Sequence, residues 1–179
     1  MNTISFVIGR FQPFHLGHKA LIDKALINSK RVVVFIGSSN ESRTKSNPFT
    51  TEERMTIISS CFDEKELKRI LFIPLPDFTD NQDWLNHIKS SLVLIKQSPD
   101  LFTFVCADKD PSTAKNNFLV SQLPCVDTYT MHPPYNLNAR DIRLALEVGA
   151  DLNEVEGILP PTIKYLCKYN ELIEESNEQ

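Results

Sequence analysis

Apolar positions along this chain follow two rhythms. Short continuous runs rich in β-branched and aromatic residues alternate with longer stretches in which apolar side chains recur at helical spacing. Residues 4–9 (ISFVIG) predict a first strand that ends at a glycine. Residues 15–29 predict a helix with Leu16, Ala20, Ile22, Leu26 and Ile27 on its apolar side. Residues 31–37 (RVVVFIG) are apolar without alternation, as in a parallel strand covered by helices on both faces. Thr50-Thr51-Glu52-Glu53 puts a hydroxyl cap and acids at the start of a helix over 50–62. Residues 70–75 predict a third strand closed by Pro74 and Pro76, residues 83–97 a helix, and residues 101–107 a fourth strand. A weaker helix over 112–122 precedes a fifth strand over 125–131. Residues 138–149 predict a helix capped by Asn138 and stopped by Gly149. Pro160-Pro161 opens a last helix to about Leu172, and the acidic stretch 174–179 is expected to fray.

Strand–helix alternation at this spacing predicts an α/β fold. The expectation is a Rossmann-like, doubly wound, mostly parallel five-stranded sheet with helices on both faces and a C-terminal helical end. No repeat, low-complexity run or linker interrupts the pattern, so residues 1–179 are expected to form one domain, with a late helical part at about 138–173.

Composition narrows the class. Hydrophobic residues make up 41% and charged residues 23% of the 179, which excludes a disordered tail, a coiled coil or a collagen-like rod. Nineteen Lys and Arg against 23 Asp and Glu give a net charge of −4, which argues against a nucleic-acid partner. Cys61, Cys106, Cys125 and Cys167 form no CxxC pair and are read as reduced thiols of a reducing cytosol. The start lacks a basic region, and no run approaches the ~20 apolar residues that span a bilayer. The expectation is a cytoplasmic protein with no membrane partner.

Chemistry concentrates in Gly9-Arg10-Phe11-Gln12-Pro13-Phe14-His15-Leu16-Gly17-His18, between the first strand and the first helix. Ligands of doubly wound sheets bind at the carboxyl ends of the strands, where strand order reverses. Gly9 lets the backbone turn sharply, and His15 and His18 fall about one helical turn apart. Two imidazoles beside free N–H groups at a helix N-terminus make a phosphate site. His87 and His132 lie far off and no carboxylates match the pair, so no metal is expected from protein ligands. Neither GxxxxGK[ST] nor GxGxxG occurs.

The same stretch resembles the HxGH signature of the nucleotidyltransferase superfamily, in the form seen in archaeal-type nicotinamide mononucleotide adenylyltransferases. The resemblance extends through Ile36-Gly37-Ser38-Ser39, Asn47-Pro48-Phe49-Thr50 and Glu53-Arg54 to Asn138-Ala139-Arg140-Asp141-Ile142-Arg143. That last block resembles a motif usually written Ser-x-Thr-x-x-Arg, from which Asn138 and Arg140 depart. Lys109-Asp110 and the late motif look closest to the bifunctional branch, which fuses this domain to a Nudix hydrolase. No Nudix segment is present, so a stand-alone enzyme or an excised domain is expected.

The resemblance implies transfer of AMP from ATP to nicotinamide mononucleotide, giving NAD and pyrophosphate, with Mg²⁺ accompanying ATP. It implies catalytic roles for His18, His15 and Arg143. Gly9, Arg10, Phe11, Lys109 and Asn138 join these three around ATP. Arg43 and Lys45 would form a phosphate loop, with either able to stand in for a basic residue where this chain has Ser46. Asp77, Phe78, Asn81 and Trp84 would hold the mononucleotide, with the indole stacked on the pyridinium. Arg54 is read either as a ligand contact or as a brace of the fold. The resemblance also implies a homo-oligomer. The alternatives are a sister transferase with another acceptor, such as a pantetheine, flavin or glycerol phosphate, and a non-catalytic NAD or ATP sensor.

Overall fold

The computed structural model describes residues 4–95, 102–107, 111–124, 126–132 and 138–177. Five strands, β1 (Ile4–Gly9), β2 (Arg31–Gly37), β3 (Ile70–Leu75), β4 (Phe102–Ala107) and β5 (Val126–Met131), form one sheet in the order β3-β2-β1-β4-β5. Every pairing is parallel. Seven helices accompany them: α1 (Leu16–Asn28), α2 (Thr51–Ser59), α3 (Glu64–Leu67), α4 (Asn81–Ile95), α5 (Pro111–Ser121), α6 (Ala139–Glu147) and α7 (Pro160–Asn177).

Successive side chains of a strand point to opposite faces, so the unbroken apolar run of β2 feeds two cores. Val32, Val34 and Ile36 pack with Val7 against Ile22, Ala25 and Leu26 of α1 and Ile57 and Ile58 of α2. Val33 and Phe35 pack with Phe6 and Phe104 against Ile88 and Leu92 of α4 and Val120 of α5. A third cluster gathers Phe49, Ile142, Leu152, Ile158 and Leu166 beneath α6 and α7.

The chain winds outward from β1 through β2 to β3, then returns to lay β4 on the other side of β1. β1 stays in register with β2 from Ile4 to Gly9, but with β4 only from Ile4 to Phe6. Past Phe6 and Phe104 the two central strands therefore part, and a crevice opens at their carboxyl ends.

Several boundaries differ from expectation for local reasons. The predicted helix over 50–62 ends at Ser59, and a short helix that was not predicted follows it. Thr50 and Glu53 form a reciprocal capping box that opens α2, and Asp63 and Glu66 form a second that opens α3. α4 starts at Asn81, earlier than predicted, since Asp80 accepts from the backbone N–H of both Gln82 and Trp84. α7 continues to Asn177 where fraying was expected, through residues of good helix propensity such as Glu171, Leu172 and Glu175. Residues 96–97, Leu101 and Cys125 of the predicted elements lie outside the described residues.

Phe6 is fully buried at the centre of the sheet, with its ring 5.0 Å from Phe104 and 6.0 Å from Phe35. Phe6→Ala is expected to lower unfolding free energy by about 3–5 kcal/mol in urea titration. Leu94→Ala, at a side chain 87% exposed, should stay within about 0.5 kcal/mol of the parent.

Candidate active site

A cavity of about 670 Å³ fills the crevice between the parted strands. Its floor is the β1–α1 loop, whose residues from Phe11 to His15 are all buried although none belongs to a helix or strand. Gly9 is required there by space. A β-carbon on it would sit 2.7 Å from the Phe11 ring, which is itself buried against Phe14 and His18 and has nowhere to go. Gln12 locks the loop to the approach to α2, donating from Nε2 to the Phe49 carbonyl (2.9 Å) and accepting at Oε1 from the Phe49 N–H (3.0 Å). The Gln12–Pro13 peptide is cis.

His15 is the N-cap of α1, one place before the helix in which it was predicted. Its Nδ1 accepts from the Gly17 N–H (3.1 Å), which makes Nδ1 the unprotonated ring nitrogen. The His18 ring stacks on that of His15, with centroids 3.7 Å apart, and is held from other sides by Phe11 and Phe14. Both imidazoles line the cavity at the helix N-terminus, as the sequence implied.

Arg10, Arg140 and Arg143 also line it. Arg143 is the fifth residue of α6, just past the first turn in which it was placed, and is not unpaired: Nη1 donates to the Gln12 carbonyl (2.6 Å). Its pKa is lowered by burial and then by the charges of Arg10 and Arg140. Asn138 caps α6 by accepting from the Asp141 N–H (3.0 Å), so the departure from serine keeps the helix start. Asp77 and Trp84 line the cavity as well. Asp77 accepts from the Ser38 hydroxyl (3.1 Å), and its N–H donates to Asn40 Oδ1 (2.7 Å).

Not every expected residue arrives. Phe78 is partly exposed beside the His87 ring, and neither it nor Asn81 is part of the cavity wall. Arg43 and Lys45 stand outside the wall as well. Arg43 makes a two-pronged ion pair with Glu53 (2.7 and 2.9 Å), and exposed Lys45 pairs with Glu147 (3.0 Å). Lys109 lies outside the described residues. Arg54 is a brace: it is fully buried and bonded to protein oxygens. Among the described residues, no group of three or more His, Cys, Asp or Glu is placed to hold a metal ion.

Comparison with known proteins places this geometry. Residues 6–143 match the cytidylyltransferase-like family. The chain belongs to that family. This cytidylyltransferase-like chain is 43% identical over 86 residues to the nicotinamide-nucleotide adenylyltransferase of Methanolobus tindarius, covering 48% of this chain and 49% of the relative. It is 35% identical over 106 residues to the nicotinamide/nicotinic acid mononucleotide adenylyltransferase of Acinetobacter baylyi, covering 59% and 56%. The chain spans about half the length of the curated relatives it matches. In fold it is similar to a bifunctional NMN adenylyltransferase/ADP ribose pyrophosphatase of Francisella tularensis complexed with AMP and manganese. The TM-score is 0.76 at 26% identity, with 99% of this chain and 54% of that one covered. A putative nicotinate-nucleotide adenylyltransferase of Vibrio parahaemolyticus shares the fold at 17% identity, with a TM-score of 0.63 over 93% of this chain and 99% of that one.

The cytidylyltransferase-like cavity has walls that sequence reasoning missed. Thr113, Asn116 and Asn117 of α5 line it, with Asn117 Nδ2 donating to the Ala107 carbonyl (3.0 Å) at the end of β4. The signal was available: polar residues on one side of a helix that directly follows a buried strand. Gln12 carried its own signal, as an amide inside an otherwise apolar and buried loop.

The Arg43–Glu53 pair yields a test. Burial alone would raise the Glu53 carboxyl, but the hydrogen bonds from Arg43 and the Thr50 N–H hold it below its usual range. A carboxyl lowered on folding stabilises above its unfolded pKa and loses that contribution as pH falls through the folded one. Arg43→Met removes the Arg43 part of the hold and leaves the Thr50 N–H bond and the burial. Denaturant melts between about pH 5 and pH 3 should therefore lose stability less steeply in Arg43→Met than in the parent.

Proposed function

We propose that this protein is a nicotinamide-nucleotide adenylyltransferase, joining the AMP part of Mg-ATP to nicotinamide mononucleotide. The observation that carries the reading is that one cavity is lined by two unlike sets of side chains. One gathers His15, His18, Arg10, Arg140 and Arg143, a set suited to phosphates; the other offers Trp84 and Asp77, suited to a cationic aromatic ring and its amide. The names of the relatives support the same substrate pair.

In this reading the mononucleotide phosphate is its own nucleophile, being mostly ionised at neutral pH. Its oxygen attacks the α-phosphorus of ATP in line, the α–β bridging P–O bond breaks, and the electron pair leaves with pyrophosphate. No general base is needed. The chain's work is to hold two anions end to end and to offset charge growing on the leaving group. His18 and His15 serve the phosphates from the α1 N-terminus, Arg10 from the β1–α1 loop and Arg143 from α6. Phe11 and Gly9 shape the turn beneath, and Asn138 holds the start of α6. Mg²⁺ arrives with the nucleotide. Phe78, Asn81, Lys45 and Lys109 join the site in this reading only as ligand contacts made on binding. A cytoplasmic setting and self-association belong to the same reading and rest on it.

Purified protein with Mg-ATP and nicotinamide mononucleotide is expected to yield NAD and pyrophosphate in equal amounts by chromatography. His18→Ala should lower kcat by about 10²–10³-fold, the scale of one lost charge-stabilising donor. Nicotinate mononucleotide should react more slowly, since its carboxylate would face Asp77. Transfer to a pantetheine, flavin or glycerol phosphate instead would make the chain a sister transferase. No product from any acceptor, with NAD still quenching Trp84 fluorescence, would make it a sensor.

A further inference from the structure

Arg54 is the largest fully buried side chain among the described residues, at 0% exposure. A buried guanidinium is ordinarily matched by a carboxylate. Here the bonded acceptors are neutral oxygens. Nε donates to the Thr50 carbonyl (3.1 Å), Nη1 to the carbonyls of Arg10 (2.8 Å) and Gly37 (2.6 Å), and Nη2 to the Ser38 carbonyl (3.3 Å) and the Thr51 hydroxyl (3.0 Å). All five bonds of the rigid fork are thereby used, and they reach three separate places: the β1–α1 loop, the end of β2 and the start of α2.

The places it holds need holding. Phe11 and Ser38, each next to or at a gripped carbonyl, have φ of 54° and 48°, the left-handed region that side-chain-bearing residues avoid. Both line the cavity. A planar trans peptide points its N–H opposite to its C=O, so gripping the Arg10 carbonyl turns the Phe11 N–H away from Arg54. Gripping the Gly37 and Ser38 carbonyls sets the position of Ser38, whose hydroxyl donates to Asp77. One side chain thus fixes the turn under the phosphate end and the turn behind the ring-binding end.

We propose that Arg54 is a positioning residue for adenylyl transfer, setting the two halves of the cavity at the separation in which the bound phosphates meet. The inference rests on the adenylyltransferase reading. Each substrate alone occupies one half, so its own binding depends little on Arg54. The reaction, and the affinity for NAD, which fills both halves, depend on their relative placement.

Arg54→Lys keeps the charge but loses the fork. Sites are counted by NAD quenching of Trp84, the sole tryptophan, which lines the cavity. Per site, kcat is expected to fall about 10–100-fold, with each KM within about threefold and NAD affinity about tenfold weaker. A brace of stability alone would cut the number of sites and leave kcat per site unchanged, and that result overturns the proposal. If Arg54→Lys does not fold, Thr51→Val, which removes one acceptor and leaves the arginine, carries the test. A smaller fall of kcat per site, about threefold, supports the proposal, and parental kcat per site defeats it. A parent protein that makes no NAD defeats the functional reading instead. The NAD affinity of the variants then decides whether Arg54 sets the two halves, tenfold weakening for it and no change against it.

Discussion

Everything specific to this molecule follows from the short life of one strand pairing. β1 and β4 share register for three residue pairs, then diverge, whereas β1 and β2 stay together to their ends. The cause is topological: the chain winds away from β1 on one side and comes back on the other, so the segments leaving β1 and β4 have no reason to remain adjacent. The opening that results is walled by the ends of strands and the beginnings of helices. Such places collect unbonded N–H groups and carry positive potential. A site for phosphates is thus prepared by the path of the backbone before any side chain is chosen.

The side chains then push in the same direction. Arg10, Arg140 and Arg143 stand around the opening and Arg54 lies beneath it, while Asp77 is the one carboxylate among its described lining residues. Burial and like charges lower the pKa of Arg143, and burial does the same to Arg54. A protein carrying net negative charge thus concentrates cations at one point and withholds their usual partners there. Elsewhere it pairs them freely, as in Lys19 with Asp23 and Arg43 with Glu53. The contrast leaves the described wall of the cavity with a local excess of positive charge.

How far this was legible in the sequence varied with the kind of signal. The strands β1, β2 and β4 could be read because parallel strands buried on both faces are continuous apolar runs, and the β2 run is the clearest instance. The Gly9–His18 segment and the late Asn138–Arg143 block were legible because their residue types serve one purpose in close sequence. Arg43, Lys45 and Arg54 were harder. Each is a cation near a phosphate-like motif, and only the fold shows that Glu53, Glu147 and a ring of carbonyls claim them. The asparagines of α5 and Gln12 carried sequence signals, but their partners, the Ala107 carbonyl and the Phe49 backbone, are set by the fold.

The loop that carries His15 is closed by residues far along the chain. The Leu16 N–H that begins α1 donates to the Gly157 carbonyl, the Thr162 hydroxyl donates to the Phe14 carbonyl, and the Tyr169 hydroxyl donates to the Pro48 carbonyl. Phe49 buries against Tyr165 and Tyr169 at the same junction. During synthesis the histidine turn therefore leaves the ribosome early and waits, with its closing partners still untranslated. A chain that stops before this seam carries His15 and His18 without the bonds that close their loop.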